Sequence, residues 1–287
     1  MNNAERLDGR PSSIVHRPSS ARRARLVLSG LILALTTLLG VWAFLYPFFV
    51  PPGPTEEAGS HAADAPLVFL LVTGLSLVAI VADLETRAID SKTVALLGVM
   101  VATNSLLRPL QGPGGFSAFL VLPVLCGYVF GGLFGFLLGA LSVAVSAIFT
   151  GGVGPWMPFQ MLAVGWVGLL SAGLPRNVLS SAAHGKAEKW LLAAWGAVIG
   201  LLFGAVLNLW FWPYIATGGL PPDQVWRPGA GLAEAAQRYA AFYVATSLWW
   251  DIWRGAGNAL LLFFLGPPVL RLLRRFKQRF FFVLRDA

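Results

Sequence analysis

The sequence holds one cysteine, Cys126, and it lies inside an apolar run. A single thiol excludes a disulfide framework and a cysteine-based metal site within one chain. Histidine is scarce too. His16, His61 and His184 fall in tails or loops, and none stands at metal-ligand spacing from another histidine or cysteine. No metal and no resident cofactor is expected. There is no GxSxG, no Walker A motif and no DDxxD-like acidic cluster. The expectation is a non-enzyme: without a phosphate-binding loop the chain cannot hydrolyse ATP by that route, so active transport needs a partner or an ion gradient. Charge is the greatest lack. Only 12% of the 287 residues are charged, where a soluble domain carries about a quarter. With 56% hydrophobic residues and a mean hydropathy of +0.70, a soluble globular enzyme is excluded.

What is present is a series of apolar runs, at 27–50, 67–82, 93–107, 117–130, 133–149, 158–174, 190–212 and 241–270. A membrane span needs about 20 apolar residues. The net charge of +8 does not mark a nucleic-acid binder, because it is sorted along the chain. The segments 1–26, 83–92, 174–189 and 271–287 hold 17 of the 21 Lys and Arg. The alternate segments 51–66, 108–116, 150–157 and 213–240 hold only Arg108, Arg227 and Arg238. The positive-inside rule then places both termini in the cytoplasm and requires an even number of spans. Read as one helix, 117–149 would run about 50 Å, too long for a bilayer. A break at Gly131-Gly132 gives two short helices and a total of eight spans. The run 27–50 follows Arg22, Arg23 and Arg25. It is longer than a signal-peptide core and lacks a cleavage site directly after it, so it reads as a retained span.

Several features carry candidate chemistry. Glycines recur every four residues at Gly127, Gly131, Gly135 and Gly139, a spacing that lets helix backbones approach closely. Ala95, Gly98 and Ala102 form a second small-residue face, suited either to internal packing or to docking of another subunit. In the last run Asp251, Arg254 and Asn258 share one helix face. They read either as a structural Asp–Arg pair or as the polar edge of a ligand pocket. Asn208 sits at a similar depth. Trp156, Trp166, Trp210, Trp212, Trp226, Trp249, Trp250 and Trp253 crowd one side of the membrane. An interfacial belt accounts for some, foremost Trp212 and Trp226; an outward-facing aromatic pocket accounts for the rest. Two Gly- and Pro-rich outer loops, RPLQGPGGFS at 108–117 and TGGVGPWMPFQ at 150–160, are placed to close over such a pocket.

The stretch from RPLQGPGGFS through GYVFGGLFGFLLGALS and TGGVGPWMPFQ, together with DIWRGAGNALLLFFLGPPVLRLLRRF, resembles the membrane S component of energy-coupling factor (ECF) vitamin transporters. The likeness covers about residues 90–275, six of the eight spans. It implies an all-α integral membrane protein: a six-helix ECF S-component core with two extra N-terminal transmembrane helices, eight spans in all, in a bacterial plasma membrane. Residues 1–26 would be a basic disordered cytoplasmic tail, 27–90 the two additional helices, 91–272 the substrate-binding core and 273–287 a basic cytoplasmic tail. The resemblance further implies capture of a vitamin or related micronutrient from outside, the TGGVGPW region pointing to a cobalamin-type ligand. Uptake would be driven by a T component carrying two ATPase subunits. It assigns docking to the small face at Ala95, Gly98 and Ala102, where Val99 departs from the family's alanine. Substrate contact is expected from Arg108, Gln111, Phe116, Trp156, Gln160, Trp166, Asn208, Trp249, Asp251, Arg254 and Asn258. A stand-alone secondary transporter of a small organic molecule is the alternative, though no internal repeat is present and Asp251 is its only buried acid. A membrane enzyme or scaffold is a third reading, with Asp251–Arg254 as its only reactive pair.

Overall fold

A computed structural model describes residues 20–49, 61, 63–85, 91–112, 117–175, 184–215 and 220–280. The described chain is all-helical, with one isolated bridge between Gln111 and Ser117. Its helices are α1 (Ser20–Leu45), α2 (Ala65–Glu85), α3 (Ser91–Leu107), α4 (Val121–Phe130), α5 (Gly132–Thr150), α6 (Met157–Ser171), α7 (His184–Phe211), α8 (Leu232–Thr246) and α9 (Leu248–Phe280). Four of them are long and apolar enough to cross a bilayer, over Val27–Phe48, Gly132–Thr150, Lys186–Tyr214 and Leu248–Gln278. Four further apolar helices are shorter. Large aliphatic side chains cover the outer surface: Leu38 is 68%, Leu70 67% and Ile148 79% exposed. That surface suits lipid, not water.

The helix ends follow from backbone chemistry. Pro47 lies in the 3-10 turn that stops α1, Pro109 follows α3, and Pro213 lies in the turn that stops α7. Ser117 accepts a hydrogen bond from the Phe119 amide at 3.2 Å and so starts the turn leading into α4. The run 117–149 breaks where expected. Gly131 has φ +112°, which a residue with a Cβ rarely adopts, and α4 reverses there into α5.

The last run differs from expectation. Residues 241–270 do not form one span. Its first six residues belong to α8, an amphipathic helix, and the chain turns at Ser247 before α9 begins. α9 then runs through Pro267-Pro268 to Phe280, well into the stretch read as a basic tail from 273. Short polar residues at 246–247 interrupt the hydrogen-bonded ladder although the apolar count never drops. Hydropathy alone does not register that break.

Three close-packed units make the bundle. In the first, α4, α5 and α6 meet backbone to backbone. A Cβ placed on Gly127 would lie 2.0 Å from the Gly168 carbonyl oxygen, and one on Gly139 2.3 Å from that of Val164. Gly127, Gly135 and Gly139 of the four-residue pattern are therefore internal packing, while Gly131 makes the turn. In the second, α7 and α9 pair through Gly196, Gly200, Gly204 and Gly255. The third, α1 with α2, rests on α6: the Phe44 ring meets Phe159 at 5.0 Å and Trp166 at 5.6 Å. α3 leans on α5, where the Ser105 hydroxyl donates to the Ser142 carbonyl at 3.1 Å. Lipid gives no hydrophobic drive between helices, so these contacts and hydrogen bonds hold the bundle.

We call the end of the bundle carrying the loops after α3, α5 and α7 the upper end. There α8 and residues 220–231 form a cap with its own small core of Trp212, Trp226 and Phe242, to which Phe48 adds a ring. Trp212 and Trp226 are therefore buried in the cap and are not belt residues. Trp249, Trp250 and Trp253 are instead exposed, at the start of α9. At the lower end Tyr128 donates to Glu188 at 2.9 Å, Arg274 pairs with the same carboxylate, and Lys277 donates to the Val129 carbonyl at 2.5 Å.

Candidate functional site

α3 ends at Leu107, so Arg108 emerges where the upper ends of α5 and α6 converge. Its guanidinium donates to the Ser146 hydroxyl at 2.8 Å, the Val143 carbonyl at 3.3 Å and the Gln160 side-chain oxygen at 2.5 Å. Gln160 is held in the first turn of α6, its backbone N–H donating to the Trp156 carbonyl. Arg254 reaches the same place from α9 and lies over the Phe203 ring at 5.5 Å. Between them is a cavity of about 280 Å³ whose polar lining is Arg108, Gln111, Ser117, Gln160 and Arg254. Phe119, Leu120, Val143, Val164, Phe203 and Leu207 complete the wall. A second cavity of about 370 Å³ adjoins it across Gln160 and Leu207, and brings in Trp156, Asn208, Trp210 and Phe211. The combination of aromatic and aliphatic walls with a few convergent polar groups is what a small-molecule site requires.

A larger hollow, about 560 Å³, lies between α2, α5 and residues 153–158. Its lining is Ala, Val, Ile, Phe, Met, Pro and Gly, with no side chain able to orient a polar ligand among the described residues. It reads as a lipid-facing groove.

Six of the expected substrate contacts come together in the paired cavities: Arg108, Gln111, Gln160 and Arg254 in the first, with Trp156, Gln160 and Asn208 in the second. Others lie elsewhere. Trp166 packs against Phe44, and Gly40 of α1 makes room for it, so it joins α6 to the N-terminal pair. Trp249 is 62% exposed and meets Trp253 edge-on. Phe116 falls outside the described residues.

The α9 triad divides into two roles. Arg254 turns to the cavity, whereas Asp251 and Asn258 are buried at 2% and 1% exposure on the side facing α7. The reason is helix geometry: residues 251, 255, 258 and 262 share the stripe that meets the α7 glycines. Asp251 pairs with Arg254 and also interacts with the Tyr243 hydroxyl of α8. A Cβ on Gly204 would lie 1.9 Å from the Asp251 carboxylate, so a glycine is required where that carboxylate seats. Asn258 therefore stands behind the site and lines neither cavity; its amide has no hydrogen-bond partner among the described residues.

Ala95, Gly98 and Ala102 all lie exposed on one face of α3, and a Cβ on Gly98 would meet nothing within 4 Å. Of the two readings left open for this face, internal packing is excluded within the described residues.

Sequence reasoning passed over Ser146, Phe203, Leu207, Tyr243 and His61. A signal existed for some. Gly196, Gly200 and Gly204 repeat the four-residue spacing noted for α4 and α5, and mark α7 as the partner of α9. Ser142 and Ser146 are spaced likewise in an apolar run; the Ser142 carbonyl accepts from Ser105 of α3, and the Ser146 hydroxyl accepts from Arg108. His61, read as a loop residue, is buried. It is held by Asp64 at 2.8 Å and ringed by Tyr46, Phe159, Trp210 and Tyr214 at 4.4–6.0 Å. No family model, curated protein or solved structure matches the chain.

Proposed function

We propose that this chain is the substrate-binding S component of an ECF-type importer in a bacterial plasma membrane. The upper end faces out, and the eight apolar helices span the bilayer with both termini in the cytoplasm. α1 and α2 are then additions to a six-helix core of α3–α7 and α9, and α8 caps the outer mouth. The observation that carries this reading is the paired cavity at the end away from the basic segments. It gathers Arg108 and Gln111 from the segment after α3, Gln160 from α6 and Arg254 from α9, three separate parts of the chain. The sequence lacks a nucleotide-binding loop, so the energy for uptake comes from a T component and two ATPase subunits. The exposed small face of α3 is the surface suited to that partner, since small residues let a second helix approach closely.

The ligand is a small organic nutrient. Neither cavity has the size to enclose a corrinoid macrocycle with its nucleotide arm, so the walls favour a smaller molecule over a cobalamin-type one.

Co-purification of the tagged chain from its native membrane tests the assignment. The expected result is a T component and two ATPases eluting with it, and loss of all three in Gly98→Trp. A chain that elutes alone, yet drives uptake in proteoliposomes under an ion gradient, would replace this reading with a secondary transporter.

A further inference from the structure

We infer that the paired cavity selects a ligand with one negative charge, a soluble monocarboxylate with an apolar or ring-shaped body, and that Arg108 holds the carboxylate. This rests on the reading of the cavity as a substrate site.

The argument begins with charge. Four ion pairs join the described residues, and Arg108 is in none of them. Its three hydrogen bonds go to a hydroxyl, a carbonyl and an amide oxygen, all neutral. Those acceptors fix the orientation of the guanidinium without cancelling its charge. A guanidinium has five N–H groups, so among the described residues two remain for another acceptor. Charged side chains at membrane depth are costly unless paired or turned to a polar cavity. Arg108 is half-buried and turned to the cavity.

Arg254 differs. Asp251 neutralises it from behind, and Gly204 gives that carboxylate its seat. Arg254 therefore offers hydrogen bonds to a ligand but no net charge. With no Asp or Glu among the described lining residues, these carry one uncompensated positive charge. A phosphate monoester brings a charge near −2 at neutral pH, more than the cavity balances. A carboxylate brings one, and its two oxygens match the fork of an arginine. The remainder of the wall is Phe119, Leu120, Val164 and Phe203, continuing to Trp156 and Trp210 in the adjoining cavity. Those faces suit a flat or aliphatic body.

A phospholipid phosphodiester is also a monoanion, so the test must separate it from a soluble acid. The full chain is placed in nanodiscs of neutral phosphatidylcholine. Its thermal midpoint is read with three acids and their uncharged amides: nicotinate and nicotinamide, indole-3-acetate and indole-3-acetamide, hexanoate and hexanamide. We expect at least one acid to raise the midpoint by several degrees in a dose-dependent way while its amide leaves it unchanged. Arg108→Lys should keep the response in weakened form, and Arg108→Gln should lose it. The acid–amide contrast on the unmodified chain stands even if Arg108→Gln does not fold. The inference is overturned if acid and amide act alike in every pair, or if the acid response survives in folded Arg108→Gln. It is also overturned if stabilisation appears only when phosphatidylglycerol replaces phosphatidylcholine. Co-purification of the ATPases is scored on the same preparations. Loss of the acid response with the ATPases still bound removes the ligand class and leaves the importer; the converse removes the importer and leaves the anion site.

Discussion

Gly168→Ala isolates what holds the centre of the bundle. A Cβ there would lie 2.2 Å from the Gly135 carbonyl oxygen, 2.3 Å from its carbon and 2.7 Å from its Cα. All three are backbone atoms on the facing helix, so no rotamer change relieves the clash. α5 and α6 must part by more than an ångström to restore ordinary contact. A gap of about 0.5–1 Å forfeits a quarter to a half of each contact's attraction, and this interface is among the most extensive in the molecule. Overpacking typically costs about 1–3 kcal/mol, and the rigid obstacle puts this case at the top of that range, about 3 kcal/mol. Gly74→Ala is the control. It is also a mid-helix glycine, but nothing lies within 4 Å of its would-be Cβ. Gly→Ala at such a site gains up to about 1 kcal/mol from helix propensity alone. Cys126 supplies the assay: it is the sole cysteine and fully buried, so a thiol-reactive fluorogenic dye reports unfolding from one site. Gly168→Ala should unfold well below wild type and Gly74→Ala at or above it. Equal midpoints for Gly168→Ala and wild type would refute the backbone-contact argument.

Two further changes probe the polar groups. Asp251→Ala leaves Arg254 partly buried without its partner; with that side chain 24% exposed, the loss should sit near the low end of the buried-pair range, about 3 kcal/mol. Gly204→Ala should reproduce part of that loss by displacing the same carboxylate, and unfolding midpoints for both variants, alone and combined, check whether the effects overlap. His61→Phe keeps a ring among Tyr46, Phe159, Trp210 and Tyr214 and should stay within about 1.5 kcal/mol of wild type, whereas His61→Ala removes the ring and should cost about 2–4 kcal/mol; indistinguishable midpoints for the two would mean that the ring contacts contribute nothing.

Helix positions were legible in the sequence because apolar runs and glycine breaks act locally. Gly131 announces its turn by residue type, and the Asp251–Arg254 pair by its three-residue spacing. What escaped depends on which way a helix is rotated. Asn258 shares a face with Asp251, but the α7 glycines draw that stripe inward, and only Arg254 turns to the cavity. Nothing in the spacing of α9 by itself says so; the repeat in α7 does, once the two are known to pair. Trp212 and Trp226 were misjudged for a related reason. A tryptophan near a span end suits a belt or a cap core equally by composition. The choice was made by Phe242 and Phe48, far away in sequence. His61 lay in a loop of ordinary composition, and its burial is set by four rings from three separate segments.

The glycine contacts among α4, α5 and α6 also bear on how the protein is made. All three helices lie between residues 121 and 171, and their closest backbone contacts, Gly127 and Gly135 with Gly168 and Gly139 with Val164, all fall inside that stretch. This unit has all its parts once Ser171 has been synthesised. The α7–α9 pair has a different schedule. Gly204 has to wait for Asp251, and Glu188 for Arg274, with the whole of α8 translated in between. During that interval the glycine face of α7 has no partner of its own. The ribosome thus delivers a finished centre first and closes the paired cavity last, when Arg254 arrives opposite an Arg108 already held in place by α5 and α6.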